Sequence, residues 1–346
     1  MKALILAGGK GTRLRPLTIS TPKPVVPFVN RPFLSYQLEL LAKAGVTDIT
    51  LSLSYQPGKI EDLLGDGTDH GVRLKYVTEP SPMGTGGAYK FAFGKTGEAV
   101  IVFHGDLLTD VNPATIIEEH RASKADATVA LIPVEDPSSC GVVETDGNGR
   151  VKRFIEKPSA DKVASLRTNL VNAGIYVLEP SVLELIPEGE TRSFEYDVFP
   201  EILKRGLHFV SHSLDGAYWK DIGTLKSYHE AHVDFLAGRI NGFERTKTAG
   251  AEVAATASVD DASIIGEGCI VKSNAMITNS VIGSGVHIEE NAVIENSVLW
   301  SQSRVSASAE IRGAVICRSC HIGRNVVVSE GSVLGDNTIL PDYSKV

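Results

Sequence analysis

The apolar positions near the N-terminus come in short blocks. Lys2 to Leu6 (KALIL) is nearly all apolar, as expected for a strand buried on both faces of a parallel sheet. Pro32 to Ala44 places Leu34, Leu38 and Leu41 on one face, a helical spacing that Gly45 ends. Strands are predicted at Asp48 to Ser54, Val72 to Val77, Ala99 to His104 and Ala127 to Val134. Between them Ile60 to Leu64, Gly86 to Phe93 and Pro113 to Ser123 read as helices. Strands alternating with helices predict an α/β fold with a mostly parallel sheet, whose ligands sit beyond the carboxyl ends of the strands. The next stretch is more mixed. Cys140 to Glu144 and Val151 to Ile155 flank the turn Asp146-Gly147-Asn148-Gly149, a hairpin signal. Leu170 to Leu178 and Leu207 to Ser213 read as strands, and Tyr196 to Lys204 and Thr224 to Ala237 as helices.

Past residue 250 the pattern becomes a repeat. Val253, Val259, Ile265, Val271 and Ile277 are six apart, and the phase then slips by one at Ile282 and again at Leu299. Ile265, Ile282, Leu299 and Ile316 are 17 apart, as are Val271, Ile288, Val305 and Ile322. Three apolar rows in register predict a three-sided parallel β-helix, each coil burying its inward residues on its neighbours. Scattered strands of a sandwich would give no fixed period. The expected domains are residues 1–238, a linker at 239–250, and a repeat domain at 251–346.

Composition narrows the classes. The 346 residues carry a net charge of −8, which argues against nucleic-acid or membrane binding through a basic surface. No apolar run is long enough to span a membrane and no signal peptide is evident, so a cytoplasmic enzyme is expected. Four cysteines do not make a disulfide scaffold, and Cys317-x-x-Cys320 lacks the second pair that a structural zinc site needs.

Against the acidic background, Ala7-Gly8-Gly9-Lys10-Gly11-Thr12-Arg13 stands out. Glycines let the backbone bend and bring N–H groups close to an anion, and Arg13, Arg15 and Lys23 add cations. Strand, glycine loop and cations make a polyphosphate cradle; the alternative is a glycine-rich turn beside solvated basic residues. Neither the Walker loop nor the dinucleotide fingerprint fits.

The longer string AGGKGTRLRPLT, then PKPVVP and Asn30-Arg31-Pro32, resembles the opening of the sugar-nucleotide pyrophosphorylases, and its Lys-Pro-x-x-Pro ending looks most like the mannose-1-phosphate guanylyltransferase branch. The resemblance implies a Rossmann-like nucleotidyltransferase domain of mixed, mostly parallel sheet followed by a left-handed β-helix of hexapeptide repeats. It implies transfer of a nucleotidyl group to a sugar 1-phosphate, with Mg²⁺ and release of pyrophosphate. Arg13 and Lys23 take the catalytic positions. Leu6, Ala7, Gly8, Gly9, Gly11 and Thr12, with Glu79, Pro82, Gly84 and Thr85 of the loop Glu79 to Gly87, fall at nucleotide-binding positions. Asp106, in His104-Gly105-Asp106, and Asp221, in Tyr218-Trp219-Lys220-Asp221, match the metal positions. Hard carboxylate oxygens suit Mg²⁺, which keeps room for substrate phosphates. Gly141, Glu156, Lys157, Asn172 and Gly174 match the sugar-phosphate half.

Three further expectations come from the residues. Glu79 can accept from both N–H groups on the edge of guanine, which favours GTP; as the alternative it is a solvated loop acid. Asp110 is expected to cap the helix that follows it. His104 departs from the family, which usually has Asn or a small polar residue there. The rival functions are glucose-1-phosphate thymidylyl or uridylyl transfer, a regulatory paralogue that binds a sugar nucleotide without turnover, and an acyltransferase in the β-helix, where His287 and His321 are the only histidines. A β-helix exposes edges and flat faces that tend to be covered, so a homo-oligomer is expected.

Overall fold

A computed structural model describes residues 1–159, 161–162, 166, 168–244 and 250–346. The chain forms two compact units that interleave along the sequence. The first comprises Met1–Gly9 and Leu34–Trp219, the second Lys10–Phe33 and Lys220–Val346. The glycine loop therefore begins in one unit and ends in the other, and residues 10–33 share a unit with the β-helix. Of the expected linker at 239–250, residues 245–249 lie outside the described residues.

In the first unit a nine-stranded mixed sheet forms the frame. Its strands and helices, in chain order, are β1 (Lys2–Leu6), α1 (Leu34–Lys43), β2 (Asp48–Leu53), α2 (Pro57–Leu64), β3 (Arg73–Thr78), α3 (Gly84–Phe93), β4 (Val100–His104), α4 (Pro113–Ser123), β5 (Ala127–Pro133), β6 (Gly141–Thr145), β7 (Val151–Glu156), β8 (Leu170–Leu178), α5 (Phe199–Lys204) and β9 (Phe209–Ser213). The order β7-β6-β8-β4-β1-β2-β3 puts β1 at the buried centre, with β5 and β9 branching from β8. β1 runs parallel to β2 and β4, and β8 is antiparallel to β4. That reversal explains why the clean α/β rhythm fades after residue 134. Leu4, Val102, Val129, Tyr176, Phe194 and Phe199 belong to its core, which holds the carboxyl ends of β1 and β4 rigid.

Two local readings are corrected. Asn112, not Asp110, caps α4: its side chain accepts from the Ala114 N–H at 3.1 Å, ahead of Pro113 in the first turn. Asp110 instead accepts from the Tyr218 N–H at 2.7 Å. The helix expected over Tyr196 to Lys204 opens as a wide π-turn, Phe194–Val198, before α5. The Ser193 hydroxyl accepts from the N–H groups of Glu195 and Tyr196, which starts this turn early.

The second unit contains α6 (Leu225–Leu236) and the β-helix. Thr224 and Ser227 form a capping box at the start of α6. Three parallel sheets of six, five and five short strands make the sides of the β-helix. Val271, Ile288, Val305 and Ile322 line one inward row, Ile277, Ile294, Ile311 and Val328 the second, and Ile282, Leu299, Ile316 and Leu334 the third. The corner serines have a role beyond small size. Ser263 Oγ accepts from the Ser280 N–H, Ser280 Oγ from Ser297, and Ser297 Oγ from Ala314, at 3.0 to 3.1 Å. Asn274, Asn279, Asn291, Asn296 and Asn325 take the left-handed conformation at the turns, which asparagine tolerates better than most residues. Cys317 and Cys320 are buried, and the Cys320 thiol donates to the Gly335 carbonyl at 3.1 Å. Burial pushes both thiols up.

Candidate active site

In the first unit, Leu6 and Ala7 close β1 and Gly8 begins the turn. The Gly105 N–H donates to the Leu6 carbonyl at 2.9 Å, and a Cβ at Gly105 would lie 3.1 Å from the Ala7 Cβ. Only glycine lets the end of β4 approach this closely, so Asp106 emerges beside the start of the glycine loop. On the other side, the Ser54 hydroxyl donates to the Gly8 carbonyl. A Cβ at Gly8 would lie 3.3 Å from Glu79 Oε1. Glu79 is half-buried; it accepts from the Ser52 hydroxyl and from the Met83 N–H, both at 3.0 Å. It therefore also shapes its own loop, holding it to β2.

The loop after Glu79 is exposed at Pro80, Ser81, Pro82 and Gly84, but its glycine end packs closely. The N–H groups of Gly86 and Gly87 both donate to the Arg192 carbonyl, and a Cβ at Gly84 would strike that same carbonyl. Thr85 Oγ1 donates to Glu195 Oε2 at 2.9 Å and accepts from the Phe194 N–H at 2.8 Å. Pro82 is exposed.

The sugar-phosphate positions converge on β6, β7 and β8. Gly141 pairs with Glu156 across the hairpin, and a Cβ there would lie 2.5 Å from Glu156 Oε2. Glu156 sits 3.8 Å from the exposed Lys157 ammonium. Burial pushes the Glu156 carboxyl up, and the nearby Glu195 adds to the shift. Asn172 Oδ1 accepts from the Gly174 N–H at 2.9 Å, and Asn172 Nδ2 donates to the Tyr176 hydroxyl at 2.8 Å. Gly174 has φ +73°, and a Cβ would lie 3.0 Å from the His104 ring.

In the second unit, Gly11 has φ +62°, and a Cβ there would lie 2.9 Å from the Lys23 Cβ and 3.1 Å from Thr18. The Thr18 hydroxyl donates to the Gly11 carbonyl at 2.7 Å and closes the turn. Thr12 and Arg13 are exposed in a short 3₁₀ turn, Thr12–Leu14. A Cβ at Gly223 would lie 2.8 Å from Asp221 Oδ1 and 3.0 Å from Arg13 Nη2. One backbone position thus admits both the cation and the carboxylate.

The comparisons with known proteins agree on the class. Residues 2–238 match the family described as nucleotidyl transferase. The chain belongs to that family. Residues 244–346 match the EIF2B subunit epsilon LbH domain, which makes this β-helix a left-handed one. A mannose-1-phosphate guanylyltransferase of Mycobacterium tuberculosis is 40% identical over 237 residues, 68% of this chain and 65% of that protein. A probable mannose-1-phosphate guanylyltransferase of Oryza sativa is 37% identical over 277 residues, 78% of this chain and 74% of that protein. The match thus spans about two thirds of the first of these relatives. Among solved structures, a putative glucose-1-phosphate thymidylyltransferase from Bacillus anthracis, in complex with a sucrose, superposes with a TM-score of 0.62 at 27% identity. It covers 70% of this chain and 98% of that one.

Within this nucleotidyl transferase chain, the sequence singled out His104 only as a departure from the family and passed over Tyr176, Glu195 and Gly223. The Tyr176 hydroxyl is the hub of a buried network. It takes the Asn172 bond, lies 3.2 Å from His104 Nε2, and donates to Glu195 Oε1 at 3.3 Å. Burial, then Glu195, raises its own pKa far beyond the phenol range. Burial opposes the Glu195 charge, but His104, Ser193 and Thr85 together hold its carboxyl below the usual range. Tyr176, Glu195 and Gly223 look like ordinary strand, helix and turn residues until the chain folds.

Proposed function

We propose that this protein is a sugar-1-phosphate nucleotidyltransferase that makes GDP-mannose and pyrophosphate from mannose 1-phosphate and GTP. The family match and relatives bearing that name support the reaction. The observation that carries it is the pair Gly11 and Gly223, which admit Lys23 at one and both Arg13 and Asp221 at the other. A phosphate-binding loop needs such crowding of charge around bare backbone.

The sugar-phosphate oxygen attacks the α-phosphorus in line, and pyrophosphate leaves. The substrate brings its own nucleophile, so the protein's work is positioning and charge stabilisation. Arg13 and the amides of Gly8, Gly9 and Gly11 hold the leaving pyrophosphate, with Leu6, Ala7 and Thr12 lining the turn. Lys23 neutralises charge near the attacked phosphorus. Asp106 and Asp221 would hold a magnesium ion, since a pair of carboxylates leaves coordination sites for phosphate oxygens. Such an ion supplies charge neutralisation at the phosphates. Glu79, Pro82, Gly84 and Thr85 form the base-reading loop. Glu79 keeps lone pairs beyond the bonds from Ser52 and Met83, so its carboxylate still suits guanine. Glu156 and Asn172 take sugar hydroxyls, Lys157 the sugar phosphate, and Gly141 and Gly174 keep the floor open.

Self-association and a cytoplasmic setting complete the proposal. Ile339 and Tyr343 are exposed apolar side chains that a second copy would cover. Among the described residues no helix is long and apolar enough to cross a membrane. The test is pyrophosphate release across a panel of sugar 1-phosphates and the four nucleotides GTP, dTTP, UTP and ATP. Mannose 1-phosphate with GTP is expected to be fastest; a faster thymidylyl or uridylyl reaction would replace that assignment. Release with no pair would point to a regulatory binder.

A further inference from the structure

The β-helix has one corner row that breaks its own rule. Immediately after the inward residues Ile265, Ile282, Leu299, Ile316 and Leu334 come Gly266, Gly283, Trp300, Cys317 and Gly335. Four of the five are small, and at Gly266 and Gly283 the coils press together: a Cβ would lie 2.5 Å from the Ser284 and Ser301 nitrogens. Trp300 is the exception, and it is buried to 2% exposure. Its Nε1–H donates to the Tyr228 hydroxyl at 2.9 Å, and that hydroxyl donates to the Pro27 carbonyl at 2.5 Å.

The next coil adds a cation. The Arg318 guanidinium lies over the Trp300 ring, 5.1 Å from its centroid, and Nη1–H donates to Thr21 Oγ1 at 2.7 Å. Thr21 is buried and stands two residues before Lys23. Two more contacts run along the same corner. Asn30 Nδ2 donates to the Ile282 carbonyl at 2.8 Å, and a Cβ at Gly335 would lie 3.2 Å from Pro16. Residues 16–30 are thus bonded directly to the coils of Ile282 and Arg318 and, through Tyr228, to the coil of Trp300, with Pro16 lying close to Gly335. A planar guanidinium that stacks on an indole while donating to a hydroxyl is a geometry lysine cannot reproduce.

We propose that Arg318, seated on Trp300, is a positioning residue for the phosphate-binding segment: by fixing Thr21 it sets where Lys23 stands. The inference rests on the nucleotidyltransferase reading and gives the β-helix a direct part in turnover. A misplacement of about 1 Å in a positioned group can cost on the order of a hundredfold in rate.

The test uses the full chain and two variants, Arg318→Ala and Thr21→Val, with their double. Each single variant is expected to lower kcat by roughly tenfold or more while KM for the sugar 1-phosphate stays within about twofold. The double should be no slower than the worse single, because both remove one contact. Arg318→Lys should recover only part of the rate. Hydrogen exchange gives a readout independent of turnover. The Val25 and Val26 N–H groups bond to the Pro22 and Lys23 carbonyls, and their exchange should accelerate in both variants. Exchange at the wild-type rate, or losses that multiply in the double, would overturn the proposal. Accelerated exchange in a protein that releases no pyrophosphate would leave the fastening in place and sink the assigned reaction instead. Should Arg318→Ala fail to fold, Thr21→Val alone decides by the same exchange measurement.

Discussion

The proposed phosphate-binding segment and the proposed sugar-phosphate pocket solve the problem of rigidity in different ways. Residues 10–33 contain little regular structure: two 3₁₀ turns and two strands of two residues each. Their order comes from outside, from Arg318, from Tyr228, whose hydroxyl takes the Trp300 N–H and donates to Pro27, and from His232, which accepts the Val29 N–H at Nε2 while its Nδ1–H donates to the Tyr228 carbonyl. Gly141, Glu156, Asn172 and Gly174, proposed for the sugar phosphate, instead stand on strands of the nine-stranded sheet, and Asn172 is held by a buried hydrogen-bond network around Tyr176. A cation-rich loop cannot be buried in an apolar core without losing its charge, so it is braced at its edges. Neutral and acidic groups that must fit a sugar tolerate the core, provided that each is paired.

The largest expected effects remove charge from the phosphates' proposed partners, Arg13 in the first region and the proposed metal ligand Asp106 outside it. Arg13→Ala and Asp106→Ala should each lower turnover by roughly a hundredfold to a thousandfold, as loss of a preorganised charge does, with little change in melting temperature. A near wild-type rate for either would break the comparison at its source. Filling the second region should act on the other substrate. Gly141→Ala forces a methyl against Glu156 and should raise KM for mannose 1-phosphate by about tenfold, while KM for GTP holds.

A third test sharpens how the segment is braced. Burial pushes the His232 pKa down to about 3 from 6.5. The folded state thus refuses a proton that the unfolded chain accepts below pH 6.5. The stabilisation is complete above that pH and is lost as pH falls toward 3, by up to about 1.4 kcal/mol per unit. Melting curves from pH 7 to 4 should show this slope in the wild type and a shallower one in His232→Gln. The smallest effect concerns the network. Tyr176→Phe removes one hydrogen-bonding hydroxyl and should cost about 1 kcal/mol of stability, with a several-fold rise in KM for the sugar 1-phosphate alone.

Much of the β-helix was readable because its information is periodic. An inward residue has its counterpart 17 or 18 positions away, and the three rows expected from the spacing are the three inward rows observed. The residues proposed to hold the phosphates are conspicuous in the sequence because Gly8, Gly11, Arg13 and Lys23 lie within one short stretch. The surroundings of the proposed sugar-phosphate residues are less local in the sequence. Glu156, Asn172 and Gly174 sit in recognisable local motifs, but Tyr176 is one apolar-looking residue in a buried strand. Its role depends on His104 and Glu195, brought from 72 residues before and 19 after. Glycines 84, 86 and 87 carry a demand the sequence does not announce: the bare backbone at 84 and 86 admits the Arg192 carbonyl, and at 87 the Glu190 carbonyl. Asp110 shows the limit of local rules, since a better cap stood two residues on and the carboxylate found Tyr218 instead.

The central claim is that the triphosphate is held by the loop bearing Arg13 and the sugar by the pocket around Gly141. Calorimetric titration of GTP with Mg²⁺ into wild type, Arg13→Ala and Gly141→Ala tests it most directly. The account predicts GTP affinity at least about tenfold weaker in Arg13→Ala and within about twofold of wild type in Gly141→Ala. Unchanged GTP affinity in Arg13→Ala, with a large loss in Gly141→Ala, would contradict it.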